Sequence, residues 1–274
     1  MLTMEELEIK RKKLDEILKD LGSVAVAFSS GVDSTFLLKA AHDVLGDNAV
    51  ALTLNTVSFP EREMKESEVF CKKEGIKQIM IEADAFSIPG FADNPPDRCY
   101  ICKRALFSKM KETAAAMGIT CVAEGSNLDD MGDYRPGMKA IAELGILSPL
   151  REAGMTKADI RALSKELELS TWDKPSFACL ATRFVYGERI TEEKLNMVEK
   201  AEQLLMNLGF GQFRVRIHGM IARIEIRPSE FEKLLSPDAA SSINAEFRKL
   251  GFEYVTLDLG GYVMGSMNRP LDLK

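Results

Sequence analysis

Histidine is close to missing from this chain. His42 and His218 are the only two among 274 residues, which removes the inventory for a multi-histidine metal site and for most Ser-His-Asp schemes. Soft metal chemistry would then fall to thiolates. A basic excess is missing as well: 36 Lys and Arg stand against 42 Asp and Glu, a net charge of −6. The chain as a whole is therefore no polycation for coating nucleic acid, although a local basic groove stays compatible with the count. No apolar run approaches the roughly 18 residues that span a bilayer. Residues 4 to 21, MEELEIKRKKLDEILKDL, read as an amphipathic helix with Leu7, Leu14, Ile17 and Leu18 on one face, not as the apolar core of a signal peptide. The expectation is a cytoplasmic protein with no membrane partner. Its five cysteines, kept reduced there, are core fillers, metal ligands or nucleophiles and not a disulfide framework. Repeats and low-complexity tracts are absent too.

What is present is length and period. At roughly 150 residues per domain the chain makes one large or two modest domains, and 46% hydrophobic with 28% charged residues is the balance of a soluble globule. VAVAF at 24 to 28, AVALTLN at 49 to 55, QIMIEA at 78 to 83 and TCVAEG at 120 to 125 predict parallel strands buried on both faces. Between them TFLLKAAHDVL, the Pro60-initiated EREMKESEVFCKKEG and CKRALFSKMKETAAAMG carry helical period and close on glycine. Strand-helix alternation predicts an α/β fold, a doubly wound and mostly parallel sheet whose ligands sit beyond the carboxyl ends of its strands. Thr156 with Asp159 spells a capping box, and Thr191 opens another helix ending before Gly209. Beyond that, FRVRIH at 213 to 218 and ARIEIRP at 222 to 228 alternate, two helical stretches follow and YVTLDL closes the pattern at 254 to 259. Residues 1–188 are expected to form the α/β domain and 189–274 a small α+β domain for substrate binding or oligomerisation.

Ser29-Ser30-Gly31-Val32-Asp33-Ser34 falls between the first strand and its helix, where a phosphate meets backbone N–H groups and the positive end of the helix dipole. It is not a Walker A loop, because no lysine follows the glycine at that motif's spacing. Asp33 would repel a naked phosphate, so a bridging Mg²⁺ is implied. A serine-capped helix start explains the same residues equally well. Cys99 and Cys102 form a Cx₂C pair at the mouth of a helix, and Cys179 lies in a second irregular stretch. Zinc, a redox pair and coincidence all produce such a pair. Cys71, in a predicted helix, and Cys121, in a predicted strand, read as core thiols. Three loop thiolates suit a cubane Fe-S cluster with one iron open. Arg214, Arg216 and His218 share one face of a strand, as do Arg223, Glu225 and Arg227; a half-solvated sheet or a set of anion clamps would each give this alternation.

The loop, together with Gly125-Ser126-Asn127-Leu128-Asp129-Asp130 after the fourth strand, resembles the PP-loop ATP pyrophosphatases, which split ATP into AMP and pyrophosphate; Ser30 stands where many members carry glycine. The resemblance implies that Ser29, Ser30, Gly31, Asp33 and Ser34 hold the β- and γ-phosphates, that the backbone at Leu54 faces adenine, and that Gly125 and Asn127 lie near the nucleotide. Asp133 to Ala140, the Cys179 stretch from Pro175 to Gly187, Val215 to His218 with Ala222 to Glu225, and Tyr254 to Gly261 further resemble the LarE family, which inserts sulfur during assembly of the nickel-pincer nucleotide cofactor. That likeness implies adenylation of a carboxylate on a pyridinium-dicarboxylate mononucleotide, then its conversion to a thiocarboxylate. It also implies a 4Fe-4S cluster on Cys99, Cys102 and Cys179, substrate contacts from Arg183, Arg214, Arg216 and Glu225, with Glu225 a candidate metal ligand, a sulfide or persulfide donor, and a homo-oligomer. ATP, Mg²⁺ and the cluster are the expected cofactors. A tRNA thiolase, a non-catalytic adenine-nucleotide module and an amide-forming synthetase are the competing readings; the acidic balance argues against a nucleic-acid partner.

Overall fold

The structure is a computed structural model that describes residues 4–132, 136–175 and 179–271, so residues 133–135 and 176–178 of the segments that carry the resemblance lie outside the described residues. The chain divides into two compact units, Met1–Asp84 with Cys99–Phe177, and Ala85–Arg98 with Ala178–Lys274. In the first unit the elements are α1 (Met4–Leu21), β1 (Val24–Ala27), α2 (Val32–Leu45), β2 (Ala49–Asn55), α3 (Glu61–Glu74), β3 (Gln78–Glu82), α4 (Arg98–Ala116), β4 (Val122–Ala123), α5 (Pro136–Glu143), α6 (Pro149–Glu152) and α7 (Lys157–Glu166). The strands form one parallel sheet in the order β3-β2-β1-β4. The strand order thus reverses beside β1, which puts the loops after β1 and β4 at the switch point where open α/β sheets take ligands.

Apolar continuity in the sequence becomes burial. β1 and most of β2 are enclosed, as expected of central parallel strands. Edge strand β3 is only half-covered and its last residue, Glu82, is exposed, so the expectation of burial on both faces fails there. Leu14 and Leu18 of α1, Phe36, Leu37 and Ala40 of α2, Val24 and Val26 of β1, and Ile160 of α7 build one core. Gly75 ends α3 in the left-handed conformation, which glycine adopts without penalty. The fourth strand is shorter than its apolar pattern: only Val122 and Ala123 pair, and the Ala123–Leu147 parallel bridge extends the sheet by a single residue. Cys121 sits just before that strand, half-buried.

The second unit holds α8 (Glu192–Asn207), β5 (Phe213–His218), β6 (Ile221–Ile226), α9 (Phe231–Leu235), α10 (Pro237–Lys249) and β7 (Tyr254–Leu257). β5 and β6 form an antiparallel hairpin and β7 joins β6 in parallel. Phe247 of α10 and Phe252 pack with ring centroids 5.7 Å apart. The segment 85–98 belongs to this unit through Asn94, whose Nδ2 donates to the Val185 carbonyl at 2.7 Å, and whose own carbonyl accepts from Gly187 N at 2.9 Å. Among the described residues no helix is long and apolar enough to cross a membrane.

Candidate functional site

Residues Ser29 to Gly31 turn the chain from β1 into α2. The serines do not cap the helix: Gly31 is the N-cap, with no side-chain cap bond. Ser34 Oγ instead donates to Gly31 O at 3.3 Å and lies 3.2 Å from Ser29 Oγ, while Ser29 N donates to Ser34 Oγ at 3.3 Å. The hydroxyls knit the loop to itself, and the dipole of a fourteen-residue helix points out of it. Ser30 takes a left-handed conformation at φ 53°. Its hydroxyl donates to Glu63 O at 2.7 Å and its carbonyl accepts from Lys174 Nζ at 3.0 Å. Leu54 is buried near the carboxyl end of β2, two residues beyond Leu52, the partner of Ala27 in β1.

The loop after β4 closes on this turn. A Cβ on Gly125 would stand 3.0 Å from Ser34 N and 3.1 Å from Asp33 Cβ, so any larger residue would have to push this backbone aside by a few tenths of an ångström. Asn127 Nδ2 reaches Asp33 Oδ1 at 3.3 Å, and Asp130 and Asp129 brace the Asn127 turn through Asn127 N and Lys157 N. Lys157, first residue of α7 after the Thr156 capping box, forms an ion pair with Asp33 Oδ2. Asp33 keeps a partly exposed carboxylate, the hard oxygen donor that Mg²⁺ takes, and a cation there would share it with Lys157. Just behind, Glu124 is buried and accepts from Ser126 Oγ at 2.7 Å and Ser148 Oγ at 2.6 Å.

Cys99 and Cys102 occupy the first turns of α4, three residues apart and therefore on one face, both half-buried. Two thiols at a helix N-terminus are a donor pair suited to a soft metal. Gly137 of α5 approaches them closely: a Cβ there would meet Lys103 Cδ at 2.7 Å and stand 3.4 Å from Cys99 O. Cys71 lies buried in α3, and burial pushes its thiol up to about 12, which leaves it an inert core residue. Among the described residues no three His, Cys, Asp or Glu side chains converge as a metal centre.

In the second unit Cys179 opens the short helical turn Leu180–Arg183. Its carbonyl accepts from Thr182 N at 3.0 Å, Thr182 Oγ1 at 2.7 Å and Arg183 Nη1 at 3.2 Å. Arg183 is fully buried and donates from Nε and Nη2 to the two oxygens of Glu202 on α8, both at 2.8 Å. Arg216 donates to Glu225 Oε2 at 3.1 and 2.9 Å, to Thr182 O at 3.0 Å and to Ser266 Oγ at 3.1 Å. Glu225 Oε1 accepts from Ser266 and lies 3.2 Å from Arg223, so both its oxygens serve arginines and hydroxyl. Arg214 lies over the Tyr262 ring at 5.1 Å; burial, with Arg183 nearby, brings it down to about 10, still a cation at neutral pH. Burial, with Arg223 close by, also holds His218 below the ordinary imidazole range.

The structure thus brings Cys179, Arg183, Arg216 and Glu225 together around one turn. Half of the charged alternation is buried and half is not: Arg214, Arg216 and Glu225 are 4%, 5% and 0% exposed, whereas His218 and Arg223 are half-buried and Arg227 is exposed. Arg214, Arg216 and Glu225 make a buried charged layer within that alternation. Sequence reasoning passed over Glu202, Lys157 and Lys174. Glu202 sits among the buried positions of α8, where a charged residue is unexpected without a partner, and that was the available signal.

No family model matches the chain. It is 40% identical over 265 residues to an uncharacterized protein of Synechocystis sp., covering 97% of this chain and 99% of the relative. It is 39% identical over 269 residues to the pyridinium-3,5-bisthiocarboxylic acid mononucleotide synthase of Lactiplantibacillus plantarum, covering 98% and 97%. More distantly it is 25% identical over 247 residues to one component of the glutamine-hydrolyzing GMP synthase of Thermoplasma volcanium, covering 84% and 75%.

Proposed function

Since the chain belongs to the pyridinium-3,5-bisthiocarboxylic acid mononucleotide synthase (LarE) family, within the PP-loop ATP pyrophosphatases, we propose that it is an ATP-dependent sulfurtransferase. It converts a carboxylate of pyridinium-3,5-biscarboxylic acid mononucleotide into a thiocarboxylate. The observation that carries this reading is the turn from Ser29 to Ser34, uncapped and closed by Gly125 at the switch point of the sheet.

A carboxylate oxygen is a hopeless leaving group near neutrality, so it must first be activated. The substrate carboxylate attacks the α-phosphorus of ATP, the bond to the β-phosphate breaks, and pyrophosphate departs to leave an acyl adenylate. Ser29, Ser30, Gly31 and Ser34 hold the β- and γ-phosphates with backbone N–H and hydroxyl donors, and the α2 dipole stabilises the charge that grows on pyrophosphate. Asp33 would hold Mg²⁺, with Lys157 beside it supplying further positive charge. The backbone at Leu54 faces adenine, while Gly125 and Asn127 wall the site. A sulfur nucleophile then attacks the activated carbon and AMP leaves. Cys99, Cys102 and Cys179 would be the thiolate ligands of a 4Fe-4S cluster, which when bound would supply the sulfide. Arg183, Arg214 and Arg216, oriented by Glu202 and Glu225, provide the cationic layer for the substrate phosphate and carboxylates.

The test is product analysis with ATP, Mg²⁺ and the dicarboxylate mononucleotide. Substrate-dependent AMP and pyrophosphate are expected, lost in Asp33→Ala; Cys179→Ala should still form AMP but no thiocarboxylate. ADP and phosphate as products, or AMP formation by Asp33→Ala at the unaltered rate, would overturn the reading.

A further inference from the structure

Lys174 does more than pair a surface charge. It is 12% exposed, and its ammonium is bound by Glu63 Oε2 at 2.6 Å, Glu66 Oε2 at 2.5 Å and the Ser30 carbonyl at 3.0 Å. An ammonium has three N–H donors, and here each has an acceptor. Ser30 is one of only three non-glycine residues with positive φ among the described residues, a conformation in which the Cβ of an L-residue crowds its own backbone. Such a residue keeps that backbone only where its surroundings over-determine it. Two tethers do so here: the Ser30 side chain is tied to Glu63 O and its carbonyl to Lys174.

A left-handed residue in a turn swings successive backbone amides toward one concave side, the geometry of an anion nest. The lysine is itself fixed in place, because Glu63 and Glu66 both pair with it. Burial raises the Glu63 carboxyl while Lys174 opposes that rise, so the lysine helps keep a buried charge tolerable at this spot.

We propose that Lys174 is a positioning residue for the nucleotide loop, holding Ser30 in its left-handed conformation so that the phosphate cradle stands preformed before ATP arrives. The inference rests on the reading of the Ser29–Ser34 turn as the ATP site. Glycine takes the left-handed conformation without a tether, which supplies the test. ATP affinity is measured by equilibrium dialysis on the full chain in two pairs: unaltered against Lys174→Met, and Ser30→Gly against Ser30→Gly with Lys174→Met. Loss of the tether should weaken ATP by about tenfold or more in the serine background and by less than about threefold in the glycine background. Equal losses in both backgrounds, or no loss in the serine one, would overturn the proposal. Should Lys174→Met fold poorly by circular dichroism, Lys174→Gln takes its place with the same two outcomes. Failure of the unaltered chain to retain ATP would instead refute the assignment of the loop itself, and this inference with it.

Discussion

Consider Glu202→Gln, a change of shape by almost nothing and of charge by one. Glu202 is fully buried and accepts Arg183 Nε and Nη2 at 2.8 Å each and Val215 N at 3.0 Å. Glutamine offers one acceptor oxygen and turns an N–H group toward donors that need an acceptor. It also strands the Arg183 charge in the interior, with Arg214 close by. Removing one partner of a buried pair costs about 3–5 kcal/mol, and at about 2–4 °C per kcal/mol for a chain of this size the melt should fall by about 6–20 °C. Far-UV circular dichroism at neutral pH measures it. Tryptophan emission is the wrong probe, since the only tryptophan, Trp172, lies in the first unit. Hydrogen exchange at the Val215 amide should accelerate in the same variant. The pH dependence has a fixed sign. Burial pushes the Glu202 carboxyl up, but Arg183 and Arg214 pull it below its ordinary value. Its contribution is therefore complete above the unfolded pKa of about 4.3 and is lost as pH falls from there through the lower folded value. The gap between the two proteins should narrow in that acid range. A variant melting within about 2 °C of the parent at neutral pH, with Val215 exchange unaltered, would refute the reasoning.

Gly125→Ala should crowd the backbone of Ser34 and Asp33, at a cost of about 1–3 kcal/mol, and sharply weaken ATP retention in dialysis. Full retention would show that the close approach is dispensable. Gly31→Ala is expected to be the milder change in a melt, because its Cβ would meet nothing nearer than Ser29 Oγ at 3.5 Å; a larger drop than for Gly125→Ala would contradict this. Iodoacetamide at mildly alkaline pH should modify Cys99 and Cys102 in the native protein and spare Cys71, whose thiol lies near 12. Peptide mapping that finds Cys71 modified alongside them would count against its burial.

The parallel sheet was legible because β1 and β2 are unbroken apolar runs and the helices between them end on glycine. The capping box at Thr156 was legible for the same reason, being local. Strand β4 is shorter than the run 120–125 suggests, since Gly125 at the end of that run closes on Ser34 and Asp33 instead of pairing in the sheet. Leu147, its other partner, hides in a short apolar stretch between helices. The alternation of Arg214, Arg216 and Glu225 was visible, but what buries it comes from Thr182, Glu202 and Ser266, remote in the chain. Lys157 and Lys174 meet the turn after β1 across 124 and 144 residues, a separation that leaves no periodic trace.

The interleaving of segment 85–98 with later residues has a consequence during synthesis. Asn94 must wait for Val185, 91 residues downstream, and at about 5–20 residues per second that is an interval of roughly 5–18 s on the ribosome. Phe91, three residues before Asn94 and fully enclosed in the finished molecule, belongs to the same unit, whose remaining residues from Ala178 onward are made later. Fragments cut anywhere between these two positions would inherit that greasy stub permanently, so clones meant to isolate either half must carry both stretches or expect precipitation.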